Sequence, residues 1–253
     1  MSNELQKAGM WKRIAAWMFD GILLSVLVVG IGVLLSWLLG YDGYSASLEA
    51  GYARYEAEYG VVFEITQEQY QAMTEPEQKN YDAAYDALIA DRQVLYDYNM
   101  VINLSLVITT LAILLGLLIW EFFIPLWLGH GQTLGKRIFG LCLVRNDGVK
   151  MNTMQLFART ILGKFTIETM IPVYILLMLY FGTMDVTGTM ILFALLLAQI
   201  ICLAATKSNS AIHDLVAGTV VVDKESQTIF RTTEDLIAWQ KKVAAERAAR
   251  APY

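Results

Sequence analysis

Four apolar runs of membrane length constrain this chain more than any other feature. Residues 21–40, 101–120 and 186–206 carry no charge, and residues 165–184 are interrupted only by Glu168. A helix needs about 20 predominantly apolar residues to cross a hydrocarbon core of roughly 30 Å. Helices suit that setting because they satisfy their own backbone hydrogen bonds. The expected fold class is therefore an all-α polytopic membrane protein with four transmembrane helices. The first and second runs extend further, through residues 14–19 and 122–128. The third and fourth are separated by only a few residues around Asp185 and Gly188, which predicts a tight helical hairpin. Composition agrees: 56% of residues are hydrophobic and 17% charged, against about 25% charged in ordinary soluble domains. A disordered chain, a coiled coil and an ordinary soluble enzyme are excluded. Ser45-Ala46-Ser47 loosely mimics a cleavage site, but the first run is too long for a signal-peptide core and is read as an uncleaved span.

The basic residues set an orientation. Lys12 and Arg13 precede the first span, six Lys and Arg residues lie between spans two and three, and a further seven follow span four. Residues 41–100 instead hold three basic and twelve acidic residues, a net charge of −9; the remaining 16 basic and 12 acidic residues give +4, and together these make the −5 of the chain. Basic loops stay on the cytoplasmic side, so both termini and the middle loop are expected inside and residues 41–100 outside. Cys142 and Cys202 offer no disulfide framework and read as small apolar residues.

Six segments follow. Residues 1–40 form the cytoplasmic N-terminus and first span, and residues 41–100 an acidic extracytoplasmic insertion that holds ten of the 13 tyrosines. Within the insertion, Thr74-Glu75-Pro76-Glu77 reads as a capping box with proline in the first turn. An apolar pattern without Gly or Pro then predicts one helix running unbroken into span two, residues 101–128. Residues 51–65 are undecided, and residues 67–73 suit a turn or two of helix. The tyrosines suit a cap that binds a partner or a cation. They equally suit a solvated helical hairpin whose rings pack on one another, the commoner fate of a charged face.

Residues 129–164 are the cytoplasmic segment. Gly129 to Thr133 breaks span two. Leu141-Cys142-Leu143-Val144 has strand character, Asn146-Asp147-Gly148 is a hairpin turn, and residues 149–151 return. A small cytoplasmic β-hairpin is expected, or a three-stranded sheet if residues 219–223 join it, since an isolated hairpin is marginal. Residues 153–164 suit a helix lying on the inner leaflet. Residues 165–206 hold spans three and four, and residues 207–253 a cytoplasmic segment ending in a charged helical tail.

No phosphate loop, Ser-His-Asp set or metal-spaced His/Cys cluster is present; His130 and His213, the two histidines, lie 83 positions apart. No enzyme, metal or cofactor is expected, and no nucleic-acid partner. What stands out is charge inside or beside the spans. Asp20 lies within the apolar stretch 14–39, seven residues after Arg13. Glu121 interrupts Trp120 and Phe122, Glu168 sits early in span three, and His213-Asp214 follows span four. A carboxylate inside a membrane helix costs a few kcal/mol unless paired, so it faces the protein interior.

Three stretches carry a resemblance. Residues 12–20 read Lys-Arg-Ile-Ala-Ala-Trp-Met-Phe-Asp, residues 131–141 read Gly-Gln-Thr-Leu-Gly-Lys-Arg-Ile-Phe-Gly-Leu, and residues 213–222 read His-Asp-Leu-Val-Ala-Gly-Thr-Val-Val-Val. Together they resemble the RDD family of bacterial membrane proteins, named for one arginine and two aspartates; here these are Arg13, Asp20 and Asp214. Residues 41–100 fall outside the family pattern. The resemblance implies a multi-pass protein of the bacterial cytoplasmic (inner) membrane, with transport commonly proposed and cation/proton antiport suggested for some members.

Two functions stay open. One is a transporter coupling a monovalent cation or small solute to protons: Asp20 binds the ion, Arg13 tunes it, and Asp214 with His213 forms an inner gate, in a homo-oligomer that encloses the path. The other is a non-transporting scaffold or interaction module, with Arg13, Asp20, His213 and Asp214 as a structural clamp and residues 41–100 engaging a protein partner. Glu121 and Glu168 are secondary candidates in both. Every one of these charges lies near one end of its span, whereas transporters bind near the midplane.

Overall fold

The computed structural model describes residues 5, 8–180, 186–206 and 210–250. In chain order these form α1 (Met10–Leu39), α2 (Tyr41–Tyr59), α3 (Gln67–Ala72), α4 (Glu75–Ala90), α5 (Arg92–Leu128), α6 (Leu134–Ile138) and β1 (Leu141–Arg145). There follow α7 (Thr153–Leu179), α8 (Val186–Ala205), α9 (Ile212–Ala217), β2 (Thr219–Asp223) and α10 (Thr233–Arg250). Among the described residues, α1, α5, α7 and α8 are the helices long and apolar enough to cross a membrane. The hairpin expected around Asp185 lies outside the described residues. The chain divides into two compact units, Val29–Ala112 and Met1–Val28 with Ile113–Tyr253.

Within Val29–Ala112, Gly40 in the left-handed region (φ +69°) separates α1 from α2. The undecided residues 51–59 are helical and complete α2. Gly51 lies so close to α5 that a Cβ there would come within 2.8 Å of Val94 Cγ2. Capping boxes start both α3, at Thr66, and α4, where Glu77 Oε2 accepts the Thr74 N–H at 2.7 Å. The helix expected to run unbroken into span two instead stops at Asp91. Asp91 takes extended backbone angles, and its Oδ1 accepts the Gln93 and Val94 N–H groups at 2.8 and 3.3 Å. A carboxylate that can cap a new helix outcompetes helix continuation at that residue. Phe63 gathers the tyrosines, with ring centroids 5.7 Å from Tyr52 and 5.9 Å from Tyr81.

In the other unit, β1 and β2 form a two-stranded antiparallel sheet, Leu143 opposite Val221. This corrects the expected hairpin or three-stranded sheet. The turn exists, with Gly148 at φ +84° and Asp147 Oδ1 accepting the Val149 N–H, but the return makes a single bridge, Val144 with Lys150. Val149 then turns to Phe230, packing with it and Leu236, and the Lys150 N–H is taken by the Phe230 carbonyl. The turn residues fix the reversal; burial decides the partner. Both faces of the sheet are covered: Leu141 and Leu143 pack with Ala16, Leu156 and Val221, while Cys142 and Val144 pack with Val220 and Val222. Two buried faces account for the unbroken apolar character of these strands.

Two of the long helices widen into π geometry, at Leu118–Phe123 in α5 and Arg159–Met170 in α7. In each, a proline follows shortly after, Pro125 and Pro172. Proline removes the hydrogen bond to the carbonyl four residues back, which for Pro125 is that of Glu121. The Thr160 hydroxyl donates to that carbonyl at 3.1 Å. No break separates residues 153–164 from span three; the expected inner-leaflet helix is the first part of α7 itself.

Candidate functional site

The side chains that stood out in the sequence converge in the unit that carries the sheet, but not as one triad. Asp20, on α1, is 5% exposed. Its carboxylate accepts the Trp120 indole N–H at 3.1 Å, the Gly135 N–H at 2.8 Å and the Thr133 hydroxyl. All three donors are neutral. Two come from the start of α6, where Thr133 is also the N-cap, so the carboxylate sits at the positive end of a helical turn. A Cβ on Gly135 would lie 2.5 Å from the Ala16 carbonyl and 2.9 Å from the Asp20 carboxylate. Glycine is what lets α1 and the α6 turn meet.

Arg159, on α7, is the hub of a second group and is 1% exposed. Its Nε donates to Asp214 Oδ1 at 2.9 Å and its Nη1 to Glu121 Oε2 at 3.3 Å. It thereby ties α7 to α9 and α5. Glu121 is also paired with Lys136 at 3.5 Å and with Lys164. Lys136 Nζ donates to Thr133 Oγ1 at 3.2 Å, which joins the Asp20 group to the Arg159 group. Arg13 pairs with Asp214, 3.8 Å from Oδ2, rather than with Asp20. Thus Arg13 and Asp20, one helix face apart by two turns, serve different partners. The Arg13 and Asp20 expected to act on each other are linked, among the described residues, through Thr133, Lys136, Glu121, Arg159 and Asp214.

His213 adds a third contact to α7. Its Nδ1 lies 2.6 Å from Glu168 Oε2, and its backbone N–H donates to Glu168 Oε1 at 3.0 Å. The approach is close because residue 163 is glycine; a Cβ there would be 2.5 Å from His213 Cα. Asp214 Oδ1 also accepts the Thr219 hydroxyl at 3.3 Å. Its Oδ2, the oxygen that faces Arg13, is buried without a hydrogen-bond partner among the described residues.

Arg13, Lys136, Arg159 and Lys164 face Asp20, Glu121, Glu168 and Asp214, four charges against four. Burial, reinforced by Arg159, holds His213 below the ordinary histidine range and so neutral at pH 7. The cluster is then electrically balanced. Burial alone would raise the Asp214 carboxyl; His213, in the acid range where it is protonated, and Arg159 overcome it and hold the group well below the usual carboxylate range. Burial pushes Lys136 down to about 8, against the pull of Glu121. Among the described residues no group of His, Cys, Asp and Glu is arranged to hold a metal.

His130 lies apart from this network, at the end of α5. Arg159, Lys136, Trp120 and Thr133 were not singled out in the sequence. Arg159 and Lys136 read there as ordinary interfacial cations. The available signal was arithmetic: acids placed inside apolar runs require cations of equal number from somewhere.

Four membrane-length helices, three of them joined by buried, compensated charge, make a multi-pass membrane protein. The chain belongs to the RDD family, whose family model matches residues 7–218. No curated protein and no solved structure matches it.

Proposed function

We propose that the chain is a module of the bacterial cytoplasmic membrane, with both termini inside and residues 41–100 outside, in which the charge network clamps the cytoplasmic ends of the spans to the small sheet. The carrying observation is Arg159, wholly buried and bonded to both Glu121 and Asp214. Removing one partner of such a pair costs roughly 3–5 kcal/mol, because a bare charge stays behind. Depth supports the same role. Trp17 and Trp37 are both more than 70% exposed on α1, twenty residues apart, which is about 30 Å of helix. They suit the two aromatic belts of a bilayer. Asp20 lies three residues from Trp17, at the membrane edge rather than its midplane. In this role the protein catalyses no reaction and uses no cofactor, and residues 41–100 and the cytoplasmic face engage protein partners.

A second reading rests on Asp214 Oδ2, which faces Arg13 at 3.8 Å and has no hydrogen bond among the described residues, beside the His213–Glu168 couple. That oxygen could accept from water in cation/proton-coupled or small-solute transport by a homo-oligomer. One experiment separates the two. Wild type, Asp20→Asn and Arg159→Met are reconstituted in proteoliposomes under Na⁺, K⁺ or Li⁺ gradients, internal pH is read, and thermal midpoints are measured in parallel. The clamp predicts no cation-dependent pH change and a large loss of stability in Arg159→Met. Cation-dependent pH change that disappears in a folded Asp20→Asn protein would establish transport instead.

A further inference from the structure

Outside the charge network, a small cavity of about 110 Å³ opens where α5 ends and α7 begins. It is lined on one side by Pro125, Leu126 and Leu156 and on the other by His130, Lys150 and Thr153. We propose that it seats the phosphate of an anionic glycerophospholipid.

Four observations converge. The first is position: one wall comes from the last residues of one membrane-length helix and another from the first residues of the next, the level at which headgroups lie. The second is charge. Lys12, Arg13, Lys136, Arg145, Arg159 and Lys164 all have carboxylate partners. Lys150 and Lys224, like Arg137, Arg231 and the cations of α10, are in no ion pair among the described residues, and both sit close enough to His130 to act on its imidazole. Lys224 Nζ donates to the side-chain Oε1 of Gln132 at 3.3 Å. Two lysines outside any ion pair suit a phosphate.

The third is size. The volume is below the 300–1,000 Å³ of small-molecule pockets and equals roughly four waters at about 30 Å³ each. It admits a phosphate group while the remainder of the molecule lies outside. The fourth is the flank. Trp127 and Met154, next in sequence to lining residues, are 85% and 71% exposed, an apolar shelf for acyl chains. The loop is also held in an unusual conformation: His130 has φ +51°, the one non-glycine residue with positive φ among those described, between Gly129 and Gly131, which also have positive φ. Such strain concentrates at functional loops.

The test is native mass spectrometry of the purified full chain in detergent, titrated with phosphatidylglycerol, phosphatidylcholine or inorganic phosphate. The expected result is one phosphatidylglycerol retained per chain at concentrations where phosphatidylcholine is not. Lys150→Gln and Lys224→Gln should each weaken retention about five-fold, from roughly 1 kcal/mol per cation near an anionic lipid. Lys150→Arg should restore it, and millimolar inorganic phosphate should not displace the lipid. Equal retention of the two lipids overturns the proposal. So does wild-type retention in both glutamine variants. Displacement by inorganic phosphate would assign a free-anion site instead. Thermal midpoints certify each variant, and Lys224→Gln carries the test if Lys150→Gln does not fold.

Discussion

At the residue scale, Asp20 is held like a bound anion rather than as half of a salt bridge. Its three donors are an indole, a hydroxyl and a backbone N–H, and the Gly135 N–H can reach it because residue 135 has no side chain. Gly135→Ala should therefore lower stability by several kcal/mol. The added carbon would meet the Ala16 backbone, which cannot move without displacing α1. Gly21→Ala, where a Cβ meets nothing within 4 Å, should change the thermal midpoint little or raise it. Paired midpoints in one detergent check this; equal effects would show that α1 and α6 do not pack as described. The acids of the network were legible in the sequence because a charge inside an apolar run is conspicuous. Their cations were not. Arg159 and Lys136 sit in segments rich in other cations, and nothing local distinguishes a buried arginine from one in the headgroups. Trp120 was hidden for the opposite reason, as one more aromatic at a span end.

Elements were legible where the signal is local. The four spans, the Thr74 capping box and the Gly129 break follow from runs, caps and glycines within a few residues. Pairings that depend on competition were not. Residues 149–151 and β2 both offered themselves to β1; the longer apolar strand prevailed, and Val149 was drawn away by Phe230 and Leu236. The break at Asp91 belongs to the same class, since a carboxylate both tolerates helix and caps it. Asp91 also pairs with Arg54 and accepts from the Tyr55 hydroxyl at 3.2 Å. Asp91→Ala should cost about 1–2 kcal/mol and let α4 run into α5, read as a lower thermal midpoint with unchanged or increased helicity by circular dichroism. Unchanged stability would mean that the break is not maintained by this cap.

For the whole molecule, orientation is the property to test. Single cysteines at Ser226 and at Glu68, introduced in a background with Cys142 and Cys202 replaced by alanine, should respond oppositely to an impermeant maleimide applied to intact cells. Glu68 should label at once and Ser226 only after the membrane is opened; the reverse pattern would invert the topology. The charge network also has a consequence for biosynthesis. Asp214 and β2 lie after the last span, yet they complete a site begun by Arg13 on the first. While the chain is still emerging from the ribosome, Arg159 has Glu121 but not Asp214, and β1 has no partner strand. The membrane helices can all be inserted before these contacts exist. A chain that stops before residue 214 leaves β1 without its partner strand and Arg159 without Asp214.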